Sequence, residues 1–403
     1  MRILHFTNIS FGITAIKSGG FALNTSGGWM AALVGRMLQV TDFQFACAAF
    51  GNGRRVEATR GNRIECFVLP KQGESRGLQL CRDLVNDWKP DLIHIHGTEG
   101  MYGLLTARGM VNCSAVISLQ GLLGPYSEWY RYFGNRSLLD IFRMHRWLEF
   151  PVLRGHWMGF WHIRKSAMRE REIIKGNYQF IGRTSWDRAY IQALNPRAEY
   201  RHGGELLREA FWHKHWDLGQ AQRHRIIFTN AGHPRKGTET LLDAISMLQP
   251  DFPDIQVAIA GGISRRSGYG QYIRQRILRL NGAAVELGQL NAQQMADELA
   301  RSHVFVSPSF IDNSPNAVCE AQLIGMPVIS TYTGGVPSLI EEGKTGLFFP
   351  TGDAPMLAAR IREVFENDNL ASHLGEHSRK TASVRHDPDA IIGQILEVYK
   401  YYY

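Results

Sequence analysis

Short apolar runs alternate with helical stretches along most of the chain, and the alternation happens twice. In the first half, runs at 3–6, 44–49, 64–69, 92–96, 115–120 and 179–182 read as strands. Helical stretches at 28–38, 78–88 and 101–110 lie between several of them. The second half repeats the scheme, with strands at 225–230, 256–260, 285–288, 304–307, 328–331 and 347–349. Helices are expected there at 238–248, 271–281, 292–301, 317–324 and 354–367. Alternation of this kind predicts parallel sheets covered by helices on both faces. A chain of 403 residues also exceeds what one core usually supports. Two doubly wound, Rossmann-like α/β domains facing a cleft follow, with ligands at the carboxyl ends of the strands. The join falls in the polar stretch 203–223, which predicts domains at 1–204 and 205–388 and a last helix at 389–403.

Composition narrows the partners. An apolar fraction of 44% and a charged fraction of 20% describe a globular chain. The formal charge of +8 favours nucleotide diphosphates or an anionic membrane surface. It is spread without a Lys/Arg block, which speaks against nucleic acid. Five scattered cysteines with no Cys-x-x-Cys pair suggest reduced thiols in a cytoplasmic protein. The amino terminus enters a strand without an apolar leader, and no run of ~18 apolar residues appears. Any membrane contact is therefore expected to be peripheral, at the inner face.

Residues 307–335 carry the most chemistry. A strand ends in a Ser/Pro/Asp/Asn turn, a helix starts near Pro315 and stops at Gly325, and a further strand leads to Gly334-Gly335. Proline at the start of a helix leaves its first amides outward, a seat for phosphate. Asp312 and Glu320 bracket that seat, with seven residues between them.

Other candidates follow strand ends. Gly232-His-Pro-Arg-Lys-Gly237 places Arg235 and Lys236 at a strand-to-helix turn; it is either a phosphate loop or a solvated basic turn. Gly27 and Gly28 precede the first helix of the first half, where the backbone can approach an anion closely. His94 and His96 share one face of a strand. No Cys, Asp or third His lies at ligand spacing near them, so no metal is expected. Gln120 ends the next strand; it can orient a hydroxyl but cannot take a proton. The segment 126–165 holds four tryptophans among basic residues and suits either a lipid headgroup layer or a local core. Asp387-Pro-Asp389 reads as a helix cap, not a metal motif.

The 307–335 stretch resembles the signature of retaining family 4 glycosyltransferases of the GT-B fold: Glu, seven residues, Glu, then Gly-x-Pro-Val and a Gly-Gly turn. Asp312 replaces the first Glu with a side chain one methylene shorter. Gln120 stands where many relatives have His. The resemblance implies a nucleotide-diphosphate sugar as donor, no metal or other cofactor, and a final helix crossing back onto the first domain. It implies that Lys236, with Arg235, neutralises the departing diphosphate together with the helix-start turn Ser314-Pro315-Asn316-Ala317, whose amides other than that of Pro315 can donate. Gly27 and Gly28 would approach it from the other side. Glu320 would hold the ribose, Gly288, Gln289 and Leu290 would border the base, and Asp312 and Asn313 would touch the sugar. His96 and Gln120 would face a glycan or lipid-linked acceptor in polysaccharide biosynthesis. A sugar-nucleotide epimerase of the same fold, or a non-catalytic sugar-nucleotide-binding protein, are the alternatives.

Overall fold

The computed structural model describes residues 1–8, 28–53, 55–144 and 156–402. Its strands form two sheets. The first contains β1 (Arg2–Thr7), β2 (Gln44–Gly51), β3 (Glu57–Gly61), β4 (Ile64–Pro70), β5 (Leu92–His96), β6 (Ser114–Ser118), β7 (Gln179–Gly182) and β8 (Glu199–His202). Their order is β3-β4-β2-β1-β5-β6-β7-β8, parallel except for β3. β3, Glu-Ala-Thr-Arg-Gly, has no apolar run and so escapes the sequence pattern; a neighbour's backbone, not burial, makes it a strand. The stretch 101–110 yields only the turn of helix Leu104–Ala107, flanked by Gly103 and Gly109, which disfavour helix.

The second sheet contains β9 (Gln222–Thr229), β10 (Gln256–Ala260), β11 (Ala284–Gly288), β12 (Ser302–Ser307), β13 (Val328–Thr331) and β14 (Leu347–Phe349). Its order is β11-β10-β9-β12-β13-β14, parallel throughout. Among its parallel strands each sheet reverses its order once, between β1 and β5 in the first and between β9 and β12 in the second. Such reversals open a crevice at the carboxyl edge, where doubly wound folds bind ligands.

Burial explains the first sheet's two faces. Leu4, Phe6, Ile93 and Ile95 enter one apolar cluster. Their neighbours Ile3, Phe45, Cys47 and Leu92 enter the other. Each such side chain contributes roughly 1.5–3 kcal/mol on burial. The second cluster also takes Ile391, Ile392, Ile395, Val398 and Tyr399 from the helix Pro388–Lys400. That helix starts as expected, with the Asp387 side chain accepting the Ala390 amide at 2.8 Å.

The chain divides into two compact units, and the division differs from the expected one. The first holds Met1–Gly124, Arg164–Arg208 and His386–Tyr403; the second holds Pro125–Ile163 and Glu209–Arg385. The segment after β6 thus groups with the second sheet, although 1–204 was expected to be one domain. Its aromatic residues give the reason. Tyr130 packs edge-on against Phe310, Tyr132 against His233, and Arg136 pairs with Glu239 at 2.8 Å. Trp129 and Trp157 pack on a small cluster of Tyr132, Phe133, Ile141 and Phe160. Of the four tryptophans, Trp161 is 52% exposed and Trp147 lies outside the described residues. Most of the described rings are therefore local core. Among the described residues no helix is long and apolar enough to cross a membrane.

Candidate active site

In the second unit, the carboxyl ends of β9 and β12 enclose a pocket of about 160 Å³. It is lined by Thr229, Asn230, Lys236, Ser307, Ser309, Asp312 and Pro315–Ala317. Two loops bring these together. The turn Pro234–Lys236 follows β9, and Gly237 after it takes φ +70°. A Cβ there would run into the Pro308 carbonyl, so glycine lets the two loops touch. The Lys236 ammonium lies 2.6 Å from Asp312 Oδ2, with the two side chains 18% and 14% exposed. Asn316 opens the helix Asn316–Ile324, which ends at Gly325 in the left-handed region. Asn316 and Ala317, at its outward-facing start, line the same pocket as Lys236.

The other expected donor residues are distributed around this pocket. Arg235 does not line it: its guanidinium stands 5.5 Å over the Tyr126 ring, and its carbonyl accepts the Phe310 amide at 2.7 Å. Before it, His233 Nδ1 accepts the Arg235 amide at 3.1 Å. Burial, then the Arg235 charge, pushes the His233 imidazole down to about 2, so it stays neutral. Asn313 is 1% exposed and Glu320 5% exposed, and neither lines the pocket. Ser314 sits between Asn313 and Pro315, partly exposed. Gly288 ends β11 and Gln289 and Leu290 follow it on the same carboxyl edge, with the Gly261 amide bonded to the Gly288 carbonyl at 2.7 Å. They stand beyond β10, outside the pocket lining. Gly28 opens the helix Gly28–Val40; Gly27 lies outside the described residues.

The first unit has its own polar cluster, at the reversal between β1 and β5. His5 stands opposite His94 in the β1–β5 register. This supplies the third imidazole that local spacing concealed. His5 Nδ1 lies 2.9 Å from His96 Nε2. His94 is bonded through Nδ1 to the Tyr399 hydroxyl at 2.5 Å and through Nε2 to Ser118 Oγ at 2.7 Å. Burial drives all three below the ordinary histidine range, His5 to about 3. Three ring nitrogens, one from each, lie within 4.8 Å of one another. Neutral imidazoles explain an imbalance there. His5 Nε2 and His96 Nδ1 are buried without a hydrogen-bond partner. In either tautomer of the His5–His96 bond, one of these far nitrogens is an N–H and the other a lone pair.

A cavity of about 30 Å³ adjoins this cluster, lined by Trp29, His96, Ser118, Gln120, Arg183 and Glu205 among others. Arg183 Nη2 donates to Gln120 Oε1 at 2.8 Å, and its Nη1 pairs with Glu205. His96 and Gln120 thus line the same cavity. His5, Arg183, Glu205 and Tyr399 were missed, because only strand register and the final helix's docking reveal them.

Comparison with known proteins bears on both units. Residues 211–381 match the family model described as "Glycosyl transferases group 1". Sucrose-phosphate synthase from Thermosynechococcus elongatus superposes with a TM-score of 0.73 at 16% identity, covering 99% of this chain and 98% of that one. HepE of Anabaena, solved with UDP and glucose, superposes at 0.68 with 17% identity, covering 99% of each. The fold is GT-B. In sequence, the sulfoquinovosyl transferase SQD2 of Arabidopsis thaliana is 27% identical over 301 residues, 73% of this chain and 53% of SQD2. The chain thus spans about half the length of the curated relatives it matches. Within the GT-B frame, the family match covers the unit that holds Lys236 and Asp312.

Proposed function

We propose that this chain is a glycosyltransferase that moves a sugar from a nucleotide-diphosphate sugar to an acceptor hydroxyl, with retention at the anomeric carbon. The observation that carries the reading is the pocket at the β9–β12 reversal, where an ammonium and the start of a helix face one small space. That combination suits a diphosphate, whose negative charge grows as its bond to the sugar breaks. Lys236, now paired with Asp312, would turn its ammonium to the phosphate oxygens and pair with them instead, and the Asn316 and Ala317 amides would add hydrogen bonds. Asp312, released, would turn to a sugar hydroxyl. Glu320 enters the donor set on the motif alone, since its carboxyl is 5% exposed and outside the pocket. No side chain of the pocket is placed as a covalent nucleophile, and no metal is part of the reading. The acceptor would be a glycan or lipid-linked saccharide of a polysaccharide pathway, met at the first unit's His96 and Gln120.

Thermal stabilisation by UDP, GDP and their sugars tests the donor site. One nucleotide family should raise Tm at concentrations well above its Kd, by about 2.7 kcal/mol of linkage at a hundredfold excess. HepE binds UDP in its crystal, which makes UDP the first probe. No shift with any of them would exclude a nucleotide-sugar enzyme.

A further inference from the structure

The loop after β5 carries an acidic group that the sequence motifs did not single out. In Gly97-Thr98-Glu99-Gly100, Glu99 folds back over the strand end. Gly97 takes φ +93°, and a Cβ on it would occupy the place of Glu99 Oε2. The Gln120 Cγ lies 3.5 Å from that same point, so the carboxyl and Gln120 are neighbours. Glu99 Oε1 accepts the Gly121 amide at 3.2 Å. Gly97 therefore leaves room for a carboxyl across the ends of β5 and β6, and the Gly121 amide holds it there.

The loop itself is held in place. The Glu99 carbonyl accepts Arg169 Nη2 at 2.6 Å. Glu170, 1% exposed, accepts the Thr98 hydroxyl at 2.6 Å and the Gly124 amide at 2.8 Å. Glu170 is thus committed to the fold. Among the described residues, Gly121 is the one neighbour whose amide donates to the Glu99 carboxyl, apart from Glu99's own amide. Capacity for a further hydrogen bond remains.

Resting on the glycosyltransferase reading, we infer that Glu99 accepts a hydrogen bond from the attacking acceptor hydroxyl and orients it, a task that Gln120 shares through its amide. The position fits: the group stands at the carboxyl end of β5, next to the strand reversal of the first sheet. It also supplies the anionic acceptor that Gln120 cannot be. Burial and the nearby Glu170 charge raise the Glu99 carboxyl to about 7, against the Gly121 amide and the Arg183 charge. Arg169 touches the loop through the carbonyl. Orientation by the ionised form then switches on as pH rises through neutrality.

The test uses the full chain, UDP-glucose or whichever sugar nucleotide stabilises it, and glycerol as a minimal polyol acceptor. Nucleoside diphosphate release is followed from about pH 6 to 8. Glu99→Gln and Glu99→Ala should slow release on the order of 100-fold while nucleotide affinity is unchanged. The rise with pH should be absent from the Gln variant. Wild-type rates in both variants, an unaltered pH profile, or an equal loss of nucleotide affinity would each overturn the role. A wild-type protein that releases nothing from a nucleotide it binds sinks the enzyme reading first, and this one with it.

Discussion

The two units solve the same topological problem with different materials. In the second, the pocket at the strand reversal comes from two contiguous loops, 229–236 and 307–317. In the first, the cluster at the reversal draws His5, His96, Gln120, Arg183, Glu205 and Tyr399 from separate parts of the chain. A diphosphate is recognised by backbone amides and a cation, which one turn and one helix start can provide. A hydroxyl-bearing acceptor demands side chains of particular shape, which strands and loops must gather from afar.

Lys236→Ala gives the largest expected effect and would break the comparison most directly. Removing one pre-placed charge from a leaving diphosphate costs on the order of 10²–10³ in turnover. Some loss of stability accompanies it, since Asp312, whose side chain is 14% exposed, is left without its cation, so turnover is compared at a temperature where the variant is folded. Steady-state turnover of the variant near the wild-type value would mean that the second unit's pocket is not where the bond breaks.

Legibility follows the same divide. The strands β9, β10, β12, β13 and β14 could be read from apolar runs, and Pro315, Asn316 and Lys236, which line one pocket, from the turns that follow them. Even so, Arg235 beside Lys236 went to the Tyr126 ring, because the segment 125–163 packs where sequence order would not put it. Glu320 sits one turn into its helix, under cover, a depth that spacing alone does not give. In the first unit, His94 and His96 were visible as a same-face pair. His5 was not, because strand pairing between residues 5 and 94 is a property of the sheet. β3 and the helix His156–Gly176 also escaped, the first for lack of apolar residues and the second because its mix of aromatic and basic side chains fits a headgroup layer or a local core equally and marks no element.

Arg183→Met sharpens the contrast from the side of stability. Its partner Glu205 is 7% exposed, and the two side chains of the pair are 10% and 6% exposed. Leaving one buried charge unpaired typically costs about 3–5 kcal/mol. Urea denaturation should show that loss. Gln120 loses its Arg183 contact at the same time, so acceptor-dependent turnover should fall with nucleotide affinity intact. A loss below about 1 kcal/mol would mean that the pair behaves as a surface one.

The smallest effect concerns acid, and its sign comes from the histidines. His5 titrates near 3 in the folded chain, against the usual value of 6.5, because burial penalises its charged form. An unfolded chain therefore takes up the proton first. The stability this neutral ring contributes is complete above about pH 6.5 and drains away as pH falls toward 3. Over that window each such histidine steepens the loss by about 1.4 kcal/mol per pH unit. His94 and His96 are pushed in the same direction, first by burial and then by the charges of neighbouring histidines. Replacing His5 by Phe removes one proton from the count and one far nitrogen that has no partner. Urea melts at stepped pH should then show a shallower decline than the wild type between about pH 6 and 4. An unchanged slope would mean that His5 is already protonated in the fold, and the neutral network of the first unit would have to be abandoned.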